Sequence, residues 1–520
     1  MKKTLLTLSI SAIIFGANAQ PKLQDYEIKP GPFFKVAKRS VPIQFIGYDD
    51  TGFYMAYAKG KTGFGEVSLS KFGFNLQLDK ELILASDIGG EKAYSSNIFM
   101  LGGEIFQFTR STTLSSKKVY LQKIDKEGWK LEEPRLVAEI LDEGRSAYYS
   151  DMSTHFSQDS SYIALVYTIP NKRKENEAFG VHVFDKSLNE LWSQRFELPY
   201  TNKLIDLTTH RITSEGDLYI LGKRFYDKRR EKVAGQINYD YLLMSFDKTG
   251  AIDSFKIESE GKYLKDMQID IAPSGDIISA GFYSDNGRAF VGGAYYMRIN
   301  NETQQVVQSS FKEFEEGFLL QNLTEGKAKR IKKKLDKGKD VELPFFFIDE
   351  FFVEEDGTTK IIAEQRHIYT VTTYTQYGSI STTHFDYDDM MLLEIGPDGE
   401  FSNTIRVAKN QHTVNDRAAF SSYSAAYNKD NLYLVFNDNA QNVDYNGVGR
   451  VAPMQKNSTT MVMIARIDDE GNIVRDALFD RGDVETKVRP ALCTQLNATE
   501  MLLFGHKGLK TQRFFLLKFK

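Results

Sequence analysis

Asp151, Asp206, Asp266 and Asp349 are the residues of this 520-residue chain whose type and spacing best suit chemistry. Each stands about eight to ten residues ahead of the Gly or Ser that closes a tight turn, where an apolar run of strand character begins. One residue type at one place in a repeat brings carboxylates together wherever the repeats share an axis. Like charges converging there cannot all stay ionised unless a cation or an arginine joins them. A hard cation with oxygen ligands, such as Ca2+, would suit the set. The plainer alternative is that each Asp caps loop amides beside it. Paired carboxyls with separated pKa values are also the machinery of glycoside hydrolysis, for which Asp206, Asp266 and Asp349 are the candidates.

A second group lies between Arg366 and Asp389, where Tyr369, Tyr374, Tyr377, His384, Phe385 and Tyr387 are set among Thr and Ser. Aromatic faces with hydroxyls around them are what a sugar or peptide surface takes, so a binding loop is expected here. The alternative is an extended strand pair whose tyrosines pack on a sheet edge. His367, His384 and His412 are too scattered to read as a zinc site, with no H-E-x-x-H spacing and with Cys493 remote. Cys493 is the sole cysteine and sits in an apolar run, as a buried, inert thiol does.

Lys327–Lys339 packs eight basic residues around Ile331 and Leu335, the pattern of a short amphipathic helix. Its charges either pair with Glu313, Glu315 and Glu316 or offer a contact for an acidic partner or anionic surface. No nucleophile elbow, P-loop or Cys-x-x-Cys is present.

The elements that must position these groups are hairpins. Leu243–Ile257 reads as a strand with alternating apolar residues, a polar turn carrying Gly250, and a second strand. The unit recurs as Val119–Val137, Val181–Leu198, Tyr296–Phe311, Leu392–Val407 and Met463–Phe479, with a looser copy at Glu66–Leu78. A second hairpin family alternates with it: Ile43–Ala58, Asn97–Thr109, Met152–Thr168, Leu207–Leu221, Met267–Phe282, Ile348–Glu364, Ser421–Asn437 and Ala491–Gly505. Four antiparallel strands per unit, eight times over, resemble the blades of a β-propeller. The resemblance is to the superfamily's fold alone. The Gly-His…Trp-Asp signature is missing, and two tryptophans cannot make a repeated Trp pattern. It implies an all-β fold, one propeller of eight four-stranded blades, with seven as the alternative.

The eighth unit ends at Lys520 after three strands, which leaves an edge unpaired. Asp25–Lys29 or Phe33–Ala37 is expected to supply the fourth strand and close the ring. Tight turns gather on one face of such a ring and long links on the other. The links near Gly222–Asp240, Arg366–Asp389, Asp438–Thr460 and Glu313–Leu343 make the second face the expected binding face.

Met1–Ala19 has the basic start, apolar run and Ala17-Asn18-Ala19 ending of a secretory signal, so residues 20–520 form the expected propeller domain, with the basic insertion at about 313–343. Export to the periplasm or the exterior follows. No later stretch has the length of a membrane span. Lys and Arg together number 66 against 70 Asp and Glu, a balance that argues against a nucleic-acid partner. The expectation is an exported, non-catalytic propeller that binds a protein or glycan through its long-loop face. The alternative is a carbohydrate-active hydrolase or lyase using inner-strand carboxylates.

Overall fold

The computed structural model describes residues 23–36, 40–59, 66–84, 87–112, 116–141, 152–169, 174–287, 290–344, 346–376, 378–454, 460–479, 486–507 and 511–520. The expected secretory signal at residues 1–19, Asp151 and Tyr377 lie outside the described residues.

The chain folds as an all-β propeller. Among the described residues the strands form eight antiparallel sheets of four or more strands, with two small two-stranded ribbons beside them. The fourth sheet shows how the repeat works: Ile205–Ile212, Leu218–Phe225, Tyr239–Phe246 and Ile252–Ile257 pair in that order. Its last turn is made by Asp247, whose carboxylate accepts the Thr249 amide at 2.8 Å, and by Gly250 in the left-handed region at φ 83°. Strands in the middle of a sheet are covered on both faces. Ile277–Ser284 in the fifth sheet is buried at every residue, which is why small and branched side chains dominate there.

Adjacent sheets pack face to face through eight apolar clusters, and these follow one another in a closed circle. One of them joins the eighth sheet to the first, through Phe504 and Phe514 against Phe53 and Phe72. Burying each such side chain contributes about 1.5–3 kcal/mol. The circle is completed by the N-terminal segment. Tyr26–Pro30 pairs antiparallel with Thr511–Phe519, from Tyr26 opposite Phe519 to Pro30 opposite Phe515. Phe34–Lys35 then pairs with the start of the same strand, so both expected stretches contribute. The Phe34 ring lies 5.2 Å from that of Phe72 and 5.6 Å from that of Phe514.

Two features depart from the repeat. In the sixth sheet, Thr359–Thr375 and Gly378–Ile395 continue as one hairpin well past the sheet. Of the two expectations for this stretch, a binding loop or a strand pair, the strand pair is the one observed, with Thr370 opposite Thr383 and Thr372 opposite Ser381. Between the fifth and sixth sheets stand two helices, α1 (Glu316–Leu320) and α2 (Glu325–Leu335). Phe318 and Leu319 of α1 enter the core, whereas α2 has no buried residue. Among the described residues no helix is long and apolar enough to cross a membrane.

Candidate active site at the inner strands of the sixth sheet

Two irregularities of register shape this site. The inner strand Phe346–Val353 slips by one residue at Asp349, between the pairs Ile348–Ala363 and Glu350–Ile362. The second strand slips against the third between Glu364 and Arg366, opposite Asp388 and Asp389. A bulge re-aims side chains that regular alternation would send to opposite faces. The outcome is that one guanidinium serves two carboxylates. Arg366 donates from Nε to Glu364 at 2.9 Å and from Nη2 to Asp349.

Glu364 is fully buried and has two further partners. Lys409 Nζ, also fully buried, lies 2.7 Å away, and the Ser422 hydroxyl donates to it at 2.9 Å. Lys409 is held in turn by Gln411 Oε1 at 2.8 Å and the Tyr387 carbonyl at 3.1 Å. The Tyr387 ring covers Arg366 from 5.3 Å. Thus the links after the sixth sheet return residues 409–422 onto its inner strands and seal one side of the cluster.

The carboxyls of the inner strand titrate abnormally. Burial pushes Asp349 up to about 6; Arg366 opposes the shift and the Glu364 charge adds to it. The Asp349 side chain remains 19% exposed, so the group is reachable from solvent. Burial also pushes the half-buried Glu350 up to about 7, and the neighbouring Asp349 charge contributes. Burial drives the Tyr423 hydroxyl well above its ordinary range, reinforced by Asp349, Glu350 and Glu364. Burial works against the Arg366 charge, but Asp349 and Glu364 outweigh it and hold the guanidinium protonated. In the third strand, Asp388 is raised to about 6 by burial and by Asp389 beside it.

Of the three described aspartates singled out in the sequence, Asp349 joins this cluster and Asp206 and Asp266 do not. Asp266 stands in the fifth sheet's inner strand and accepts the Ile348 amide at 2.7 Å, with burial raising its pKa. That strand is bulged there too, and a Cβ at Gly281 would run into the Asp266 carbonyl. Asp206 pairs with Arg229, which also donates to the carbonyls of Lys203 and Ile205. Asp206 and Asp349 thus each face an arginine, and Asp266 faces a backbone amide. Among the described residues no three His, Cys, Asp or Glu side chains are disposed to hold a metal ion.

The aromatic residues of the long hairpin divide between its two faces. Tyr387 belongs to the carboxyl cluster. Tyr369 stacks 4.8 Å from His384, and Tyr374 stands 82% exposed near the tip. The basic helix α2 pairs Lys332 with Glu316 at 3.1 Å and Lys329 with Glu325 at 2.6 Å. A cleft of about 380 Å3 opens between the sixth and seventh sheets. It is lined by Glu354, Lys360, Tyr427 and Lys429 and holds none of the cluster residues; its Glu354 and Lys360 pair at 2.8 Å.

Glu350, Glu364, Arg366, Lys409 and Tyr423 went unnoticed in the sequence. A signal existed for Glu364: it follows the apolar run Ile361-Ile362-Ala363 inside a strand, where an unpaired charge cannot be buried.

No family model matches this chain, and no curated protein does. Similar solved structures include the polysaccharide lyase Uly1, at 10% identity and TM-score 0.34 over 83% of this chain and 93% of that one. A PL25 ulvan lyase, from a new family of polysaccharide lyases, has 9% identity and TM-score 0.36, covering 88% and 96%. The GH93 α-L-arabinofuranosidase of Fusarium graminearum, in complex with arabinobiose, has 9% identity and TM-score 0.33, covering 67% and 92%. The likeness is one of fold, and no residue role is transferred from it. The expectation of a non-catalytic binder is nonetheless corrected, because the proteins just named are enzymes that act on glycans. The coupled carboxyls at Asp349 and Glu350 were also no part of that expectation.

Proposed function

We propose that the chain is a carbohydrate-active enzyme and that it cleaves glycosidic bonds by hydrolysis at the inner strand of the sixth sheet. The observation that carries this reading is the pair Asp349 and Glu350, adjacent carboxyls raised to about 6 and about 7. At neutral pH the first is mostly ionised and the second still holds much of its proton. A glycosidase needs that division between base or nucleophile and general acid. Glu350 would protonate the leaving oxygen, and Asp349, steadied by Arg366, would activate water or attack the sugar. The Tyr423 hydroxyl is too weakly acidic to serve as the base of an elimination, which favours hydrolysis over a lyase reaction.

In this reading Tyr369, Tyr374, His384 and Tyr387 offer aromatic and polar contacts to the glycan along the hairpin, and Tyr377 is assigned to the same ligand by its residue type. Residues 1–19 act as an export signal, consistent with a substrate outside the cell, and residues 20–520 form one propeller domain.

The test is incubation with a panel of soluble neutral and acidic polysaccharides, assayed for new reducing ends and for unsaturated products. New reducing ends without unsaturated sugar are expected. Glu350→Gln and Asp349→Asn should each lower turnover about 10²–10⁴-fold. Full activity in both variants would remove these carboxyls from the mechanism, and unsaturated products would replace hydrolysis with elimination.

A further inference from the structure

The long hairpin gathers side chains that are far apart in the sequence. Asp386 lies opposite His367 on one side and His412 on the other, and His384 lies opposite Tyr369. Residues two apart on a strand share a face, so these groups form one patch. Within it His384 Nδ1 and His412 Nε2 face each other at 3.4 Å. That is longer than the usual N–H hydrogen bond of about 2.7–3.2 Å. It is the separation of two nitrogens bound to one tetrahedral ion: with metal–nitrogen bonds of about 2.0–2.1 Å, it subtends roughly 110°.

The other nitrogen of His412 is already committed. Its Nδ1 lies 2.5 Å from Asp386 Oδ1, which fixes the proton on Nδ1 and leaves the Nε2 lone pair directed at His384. A carboxylate behind an imidazole is the usual support of a metal-binding histidine. His384 is held by stacking: its ring lies 4.8 Å from Tyr369 at an interplanar angle of 4°, and Tyr369 packs on His367 at 4.9 Å. His412 is 43% exposed, so an ion has access.

We infer that His384 and His412 form a two-imidazole site for a borderline divalent transition ion, with Zn2+ the best geometric fit and Asp386 as the orienting group. Protein supplies two ligands, and water or a bound ligand completes the shell. Imidazole nitrogen selects such ions over Ca2+ and Mg2+, which take oxygen. A bound ion would clasp the strand Gln411–Val414 to the hairpin and so stiffen an element projecting from the ring.

The experiment uses the full chain without a polyhistidine tag, stripped with chelator and titrated calorimetrically with ZnCl2, alongside thermal unfolding. One Zn2+ per chain is expected, with a rise in Tm that CaCl2 and MgCl2 do not reproduce. His384→Ala and His412→Ala should each abolish the site while melting like the metal-free parent. Asp386→Asn should weaken affinity about 10–100-fold, and His367→Ala should retain the site. Absence of Zn2+ binding by the parent would overturn the assignment. So would unchanged binding in both His384→Ala and His412→Ala, or its loss in His367→Ala alone.

Discussion

Lys409 Nζ lies 2.7 Å from a Glu364 carboxylate oxygen, and neither side chain exposes any surface to solvent. Taking both charges out of water costs several kcal/mol each, which their attraction and hydrogen bonds must offset. Removing Lys409 leaves Glu364 buried with only Arg366 and the Ser422 hydroxyl of its named partners to hold its charge. Lys409→Met should therefore destabilise the protein by up to about 3–5 kcal/mol. The double variant Lys409→Met/Glu364→Gln should recover part of that loss. Denaturant unfolding of both variants tests this; additive losses would mean that the pair is not coupled.

Stability should fall as pH rises through the neutral range. Asp349 and Glu350 titrate near 6 and 7 in the native chain, whereas unfolded carboxyls titrate near 4. Between these values the native state binds protons that the unfolded state has released. Their contribution is complete below about pH 4 and is lost as pH rises through about 6–7. In Glu350→Gln, Tm should decline less than in the parent between pH 4.5 and 8. Parallel curves would place Glu350 in ordinary solvent.

Removal of residues 20–36 should open the ring. It strips the pairing partner from Thr511–Phe519 and the Phe34 ring from Phe72 and Phe514. The exposed edge is a template for intermolecular pairing. A lower Tm and association on size exclusion are expected; an unchanged monomer would show that the seam between the first and eighth sheets suffices by itself.

The two inserted helices should respond differently to change. Phe318 of α1 packs 5.0 Å from Phe314 within the cluster between the fifth and sixth sheets. Phe318→Ala should cost about 3–5 kcal/mol. Replacing residues 324–334 by a short flexible link should cost far less, since α2 buries nothing and only Leu335 at its end touches the core. Equal losses in thermal unfolding would contradict this.

The repeat was legible because its cues are local. Alternation and the Asp247–Gly250 turn specify a hairpin from neighbouring residues alone, and the strand missing from the last unit pointed to its N-terminal partner. The Arg366–Asp389 stretch reads equally as a binding loop or a strand pair, because its strands project beyond the core. Both faces stay largely exposed, so no regular apolar alternation marks them, and only β-branched and aromatic content hinted at strand. The site was half legible. Asp349 stood out by its place in the repeat, but Glu364 and Arg366 reach it through bulges, and register slips leave no mark in composition. Lys409 reads as a surface charge until the chain folds back over Glu364.

Residues 25 and 520 sit at the same end of one antiparallel ladder, with the Lys520 amide donating to the Asp25 carbonyl at 2.8 Å and Tyr26 opposite Phe519. A pull applied through these two points loads the ladder from that end. Its bonds would break one after another, as in a zipper, instead of sharing the load in shear. The seam that completes the circle is thus the place where tension opens the molecule first, and a tether at each end would make it a low-force release.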